Sequence, residues 1–144
     1  MSDRAYVLDT SMAAAWFIAD EANEFAEALL DNLPNSQIFV PALWPIEITN
    51  ALLQARKRNR ITETKLDEIG TILPNLGLII DYAIADEALP AVIQLARHYR
   101  LTTYDAAYLE LALRKKLPLA TRDAALIAAC QSAAVKVLGL PTAA

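Results

Sequence analysis

The chain has 144 residues, 56% of them hydrophobic and 21% charged, with a formal net charge of -4. A chain of this length buries roughly 68–70% of the surface its unfolded form exposes, so it supports a hydrophobic core without staples and is expected to form one domain over residues 1–144. The negative balance and a pI near 4.9 argue against a protein that coats nucleic acid electrostatically, and no run approaches the ~18 apolar residues that cross a bilayer.

Taken in chain order, Ala5 to Leu8 forms a short apolar run, and Thr10 or Ser11 behind Asp9 is placed to cap the helix implied by MAAAWFIA. Asp20 opens a second amphipathic segment with Phe25, Leu29 and Leu30 on one face, closed by Pro34 and Asn35. Residues 38–40 read as a strand, and Pro41 and Pro45 bracket the turn into a helix over residues 46–58. Thr62 can cap a helix carrying Leu66, Ile69, Ile72 and Leu73, and residues 78–80 form a third strand followed directly by Asp81. The spacing of Leu89, Val92, Ile93 and Ala96 predicts a helix within residues 86–99, with Pro90 tolerable only near its start. A helix beginning near Asp105 holds Tyr108, Leu109, Leu111 and Ala112; a strand over 117–120, a helix over 124–134 and a strand over 135–138 complete the chain. Strands alternating with helices imply an α/β fold: three layers, with a mainly parallel sheet of about five strands.

Four acids stand where strands end or helices begin: Asp9, Glu47, Asp105 and Asp123. Taken singly, an Asp at such a place is an ordinary helix cap. As a set they are more informative. Asp9 and Asp123 follow predicted strands closely, so both project at the carboxyl edge of the sheet, where open α/β sheets place ligands. Carboxylates gathered there repel one another until a cation neutralises them, and Mg²⁺ or Mn²⁺ is the natural occupant. Zinc is a poor match because the chain has one histidine, His98, and one cysteine, Cys130. His98 is expected on the surface near a helix end, and Cys130, in an Ala-rich stretch, as a small buried hydrophobe.

Other chemistries lack their parts. With three glycines in all, there is no phosphate-cradling loop, and Ser11 has no histidine at a plausible triad position. Positive charge is clustered at Arg56, Lys57, Arg58 and Arg60, and again at Arg114, Lys115 and Lys116. Both clusters fit helix C-termini, and the first, about 14 Å along a helix from Glu47, could also hold a phosphate backbone or an acidic partner segment. The opening MSDRAYVLD lacks the long apolar segment of a secretory signal, so a soluble, cytoplasmic setting is expected.

The chain resembles the PIN-domain family, specifically the VapC-like ribonuclease toxins of type II toxin–antitoxin pairs. The resemblance is carried by VLDTS at 7–11, PIEITNAL at 45–52 and LTTYDAAYLELALRKKLPLATRD at 101–123. It implies an Mg²⁺-dependent endoribonuclease toxin, with Mn²⁺ as a possible substitute, whose products end in 5′-phosphate and 3′-hydroxyl. Asp9 and Asp105 would be the principal metal ligands, with Glu47 and Asp123 completing the pocket directly or through water. Thr10, Ser11 and Thr121 would be supporting hydroxyls, although capping also explains them. The resemblance further implies a homodimer and a cognate antitoxin that lies across the active-site groove and inserts a basic side chain among the carboxylates. Trp16, Phe17, Trp44 and Tyr82 are candidates for those surfaces or for the core. Two alternatives stay open at this point: a PIN nuclease in RNA processing or DNA cleavage outside any toxin system, and an inactive PIN-like binding scaffold.

Overall fold

A computed structural model describes residues 5–139. Its centre is a five-stranded, all-parallel sheet of β1 (Ala5–Leu8), β2 (Gln37–Pro41), β3 (Ile79–Asp81), β4 (Leu119–Ala120) and β5 (Val137–Leu138), in the order β3-β2-β1-β4-β5. Among the described residues, seven helices flank it: α1 (Thr10–Phe17), α2 (Glu24–Asp31), α3 (Trp44–Lys57), α4 (Glu63–Ile72), α5 (Leu89–Tyr99), α6 (Thr103–Lys115) and α7 (Ala124–Ser132). Right-handed crossovers running outward from β1 through β2 to β3 put α1–α4 on one face, and the return through β4 to β5 puts α5–α7 on the other. Contacts agree, since α1 packs on α2 and α3 while α6 packs on α5 and α7.

The predicted three-layer α/β architecture is therefore present. β1 is central and continuously apolar, with Tyr6, Val7 and Leu8 at 0% exposure, as a strand covered on both faces must be. Small residues set the close approach of the helices. Ala13, Ala14 and Ala15 of α1 are all buried, and α6 buries seven residues in succession, residues 106–112, between the sheet and its neighbours. Phe17 and Trp44 belong to the core, whereas Tyr82 is exposed. Trp16 is partly buried and donates its indole N–H to the Ala26 carbonyl at 2.8 Å.

Two predicted helix starts are corrected. Neither Thr10 nor Ser11 caps α1; both lie inside its first turn, and Asp9 occupies the N-cap position. Asp20 does not open α2. That helix is capped by Asn23, which accepts the Ala26 N–H, while Asp20 lies in a short 3₁₀ turn and binds Arg60. Thr62 caps α4 as expected, accepting the Lys65 N–H.

Among the described residues, no helix is long and apolar enough to cross a membrane.

Candidate active site

The sheet fixes where the acids meet. The chain leaves β1 toward β2 on one side and leaves β4 toward β5 on the other, so a crevice opens between the carboxyl ends of β1 and β4. Asp9 follows β1 and its backbone N–H bonds the Ala120 carbonyl at 3.0 Å, while Thr121, Arg122 and Asp123 follow β4. Glu47 enters in the first turn of α3 and Asp105 in the first turn of α6.

Asp9 is 4% exposed, and its side chain makes no capping bond to its helix. Instead its Oδ2 accepts the Ser11 hydroxyl at 2.6 Å and the Thr121 hydroxyl at 2.7 Å. The hydroxyl oxygens accept in turn, Ser11 from the Arg122 N–H at 2.9 Å and Thr121 from the Asp123 N–H at 3.0 Å. Each chain thus runs from backbone N–H through hydroxyl to carboxylate. Both hydroxyl hydrogens being used on Asp9, the arrangement is built for the ionised carboxylate. Burial nevertheless raises the Asp9 pKa; the two hydroxyls oppose this, and the Asp123 charge adds to it.

Glu47 is held by a second hydroxyl group set. Its Oε1 accepts the Tyr108 phenol at 2.6 Å and the Thr10 hydroxyl at 3.2 Å. Its pKa is raised chiefly by burial, with these hydroxyls opposing and Asp9 contributing. Asp105 is pushed up to about 6, first by burial and then by the charges of Asp123, Asp9 and Glu47. All three other acids therefore act on Asp105, which makes the four a single electrostatic site drawn from four separate stretches of chain. Asp123 keeps a structural task as well, capping α7 by accepting the Leu126 N–H at 2.9 Å. Asp105 does not cap α6; Thr102 does, accepting the Asp105 N–H.

The donor set is carboxylate and hydroxyl oxygen throughout, the chemistry of a hard cation. No group of three or more His, Cys, Asp or Glu side chains among the described residues is arranged to hold a metal ion. Mg²⁺ is commonly held by one or two carboxylates and its own waters, which asks for no larger group.

The basic cluster at the C-terminal end of α3, whose Arg58 and Arg60 lie beyond the helix, is less free than its sequence implies. Arg56 bonds Glu63, and Arg60 bonds Asp20 and Glu21, so two of its four cations are already paired within the fold. In the second cluster, Arg114 forks between Glu110 and Asp81. His98 is exposed, and Cys130 is wholly buried with its thiol pushed up to about 12, mainly by burial. Tyr108 is the site residue that the local reading missed. Its signal was present: it lies three residues after Asp105 and so on the same helical face.

The sequence matches the PIN domain family over residues 6–131, a span that contains all four acids. Among solved structures, the chain is similar to PAE2754 from Pyrobaculum aerophilum, with 23% identity, 87% of this chain and 84% of that chain covered, and a TM-score of 0.64. It is also similar to a toxin–antitoxin complex from Klebsiella pneumoniae, with 20% identity, 82% and 86% covered, and a TM-score of 0.58. At these identities the likeness is one of fold. No curated protein matches the sequence.

Proposed function

The chain belongs to the PIN domain family, and from that premise we propose that it is a divalent-metal-dependent endoribonuclease and the toxin of a toxin–antitoxin pair. PIN domains are generally nucleases. The observation that carries the reading here is the coupled acidic site, in which Asp105 is pushed up to about 6 by burial and by the charges of Asp123, Asp9 and Glu47. A protein that gathers negative charge at its ligand-binding edge is built to hold positive charge there.

Asp9 and Asp105 are the first choices to hold Mg²⁺ or Mn²⁺, with Glu47 and Asp123 acting on the ion through its bound waters. When bound, the cation supplies charge neutralisation at the scissile phosphate and activation of water. The chain's own residues do the positioning. Ser11 and Thr121 aim the Asp9 carboxylate and oppose the rise that burial imposes on its pKa, the Tyr108 and Thr10 hydroxyls fix Glu47, and the surrounding charges of Asp123, Asp9 and Glu47 favour a cation beside Asp105.

The toxin assignment draws on the structural likeness to a toxin–antitoxin complex and on the acidic site, which suits a basic side chain from an antitoxin. A homodimer is supported by exposed apolar side chains, Leu89 and Ile93 one turn apart on α5 and Leu113 on α6. Residues 1–144 are read as one domain in the cytoplasm.

The deciding experiment is cleavage of structured RNAs by wild type and Asp9→Asn, each with Mg²⁺, Mn²⁺ or EDTA. Metal-dependent cleavage lost in the variant is expected; equal activity of the two proteins would remove the proposed site. Growth arrest on expression that persists with Asp9→Asn would break the link between catalysis and toxicity.

A further inference from the structure

Tyr108 is fully buried on α6, yet its hydroxyl faces a carboxylate and a threonine. The contacts form a closed triangle: Tyr108 to Glu47 Oε1 at 2.6 Å, Thr10 to the phenol oxygen at 2.9 Å, and Thr10 to the same Oε1 at 3.2 Å. Only two hydroxyl hydrogens serve these three contacts. The shortest contact takes the phenol hydrogen to Glu47, which leaves the threonine hydrogen for the phenol oxygen or for Oε1. The shorter of those two options makes a chain from Thr10 through Tyr108 to Glu47, in which each bond polarises the next.

The three corners come from α1, α3 and α6. Asp9 immediately precedes Thr10, Glu47 is itself a corner, and Asp105 lies one turn before Tyr108. A phenylalanine would fill the same core space. What the hydroxyl adds is a bond that spans the two helices bearing the second and third acids.

We propose that Tyr108 is a positioning residue of the acidic site: with Thr10 it holds the Glu47 carboxylate in one orientation and ties α3 to α6, so that Glu47 and Asp105 keep their relative placement. The inference rests on the nuclease reading above and adds to it a residue that touches neither metal nor substrate.

The test uses the full chain as wild type, Tyr108→Phe, Glu47→Gln and the double variant. RNA cleavage in Mg²⁺ gives kcat and KM, and calorimetry with Mn²⁺ alone gives cation affinity without turnover. Tyr108→Phe should lose about 10–100-fold in kcat with KM within about twofold, and weaken Mn²⁺ binding by a similar factor. On the Glu47→Gln background it should cost nothing further, because the residue through which it acts is already changed. Wild-type kcat and Mn²⁺ affinity in Tyr108→Phe, or losses that simply multiply in the double variant, would overturn the proposal. If Tyr108→Phe does not fold, Thr10→Val takes its place; a kcat loss without a KM change supports the triangle, and wild-type values refute it. A wild-type chain that binds Mn²⁺ but cleaves no RNA would overturn the nuclease reading instead, and the calorimetric arm would still decide the role of Tyr108.

Discussion

Replacing Asp105 by Asn should stabilise the metal-free protein. The Asp105 carboxyl is pushed up to about 6 from an ordinary 3.8, so the fold disfavours its charged form. At about 1.4 kcal/mol per pH unit, that gap corresponds to about 3 kcal/mol. The side chain is only half-buried, and solvent screening reduces the figure to about 1.5 kcal/mol. The sign follows from proton binding. Between 3.8 and about 6 the folded chain holds more protons than the unfolded one, so stability falls as pH rises through this window and the penalty is complete above it. Thermal melts in EDTA should therefore place Asp105→Asn about 3–6 °C above wild type near pH 8, with the difference closing toward pH 4, where the wild-type carboxyl is largely protonated. Adding Mg²⁺ should raise the wild-type midpoint more than that of the variant, because a cation that binds only the folded state stabilises it by mass action. Equal midpoints near pH 8, or a gain undiminished near pH 4, would refute the picture of an electrostatically strained site.

Thr121→Val keeps the shape of a wholly buried side chain while removing the donor to Asp9 and the acceptor of the Asp123 N–H, so urea denaturation should report a loss of about 1–3 kcal/mol. Arg114→Gln leaves Glu110 and Asp81 without their shared guanidinium and should cost about 1–2 kcal/mol at neutral pH, given the partial exposure of the arginine. The Asp81 carboxyl is held below its ordinary 3.8 by Arg114, so this stabilisation is present above 3.8 and fades as pH drops through the depressed folded value; a cost that stays constant down to about pH 2 would be inconsistent. Lys116 ends α6 with φ of 57°, a left-handed conformation that glycine adopts more readily. Lys116→Gly should therefore raise stability by about 0.5–1 kcal/mol in denaturant melts without altering cleavage, since it sits about 16 Å along the helix from Asp105. Finally, Cys130 should resist alkylation by iodoacetamide in the native protein and react only on unfolding, as mass spectrometry would show.

The sheet and the acids were legible because both are written locally. The run Tyr6, Val7, Leu8 announces a strand covered on both faces, and an acid directly behind it marks the carboxyl edge. Helix starts were less legible, since Thr10, Ser11 and Asp9 are all good caps and only the direction of the chain leaving β1 selects among them. Long-range partners were not legible at all. Arg60 reads as a solvated helix-end cation until Asp20 and Glu21, some forty residues earlier, are seen to bind it. Tyr108 was hidden for the opposite reason: its apolar neighbours Leu109 and Leu111 make the segment read as core, and its hydroxyl finds Glu47 only across 61 residues of sequence.

The bond from Thr121 to Asp9 spans 112 residues. During synthesis, the first acid emerges with the opening strand but stays without this buried donor until nearly the whole domain has left the ribosome. The fourth acid, two residues later, arrives at the same moment. A chain interrupted anywhere before residue 121 therefore carries at most three of the four acids and no completed clamp, whatever else it has folded. The order in which the chain is made thus makes completion of the Asp9 clamp coincide with closure of the sheet by β4 and β5.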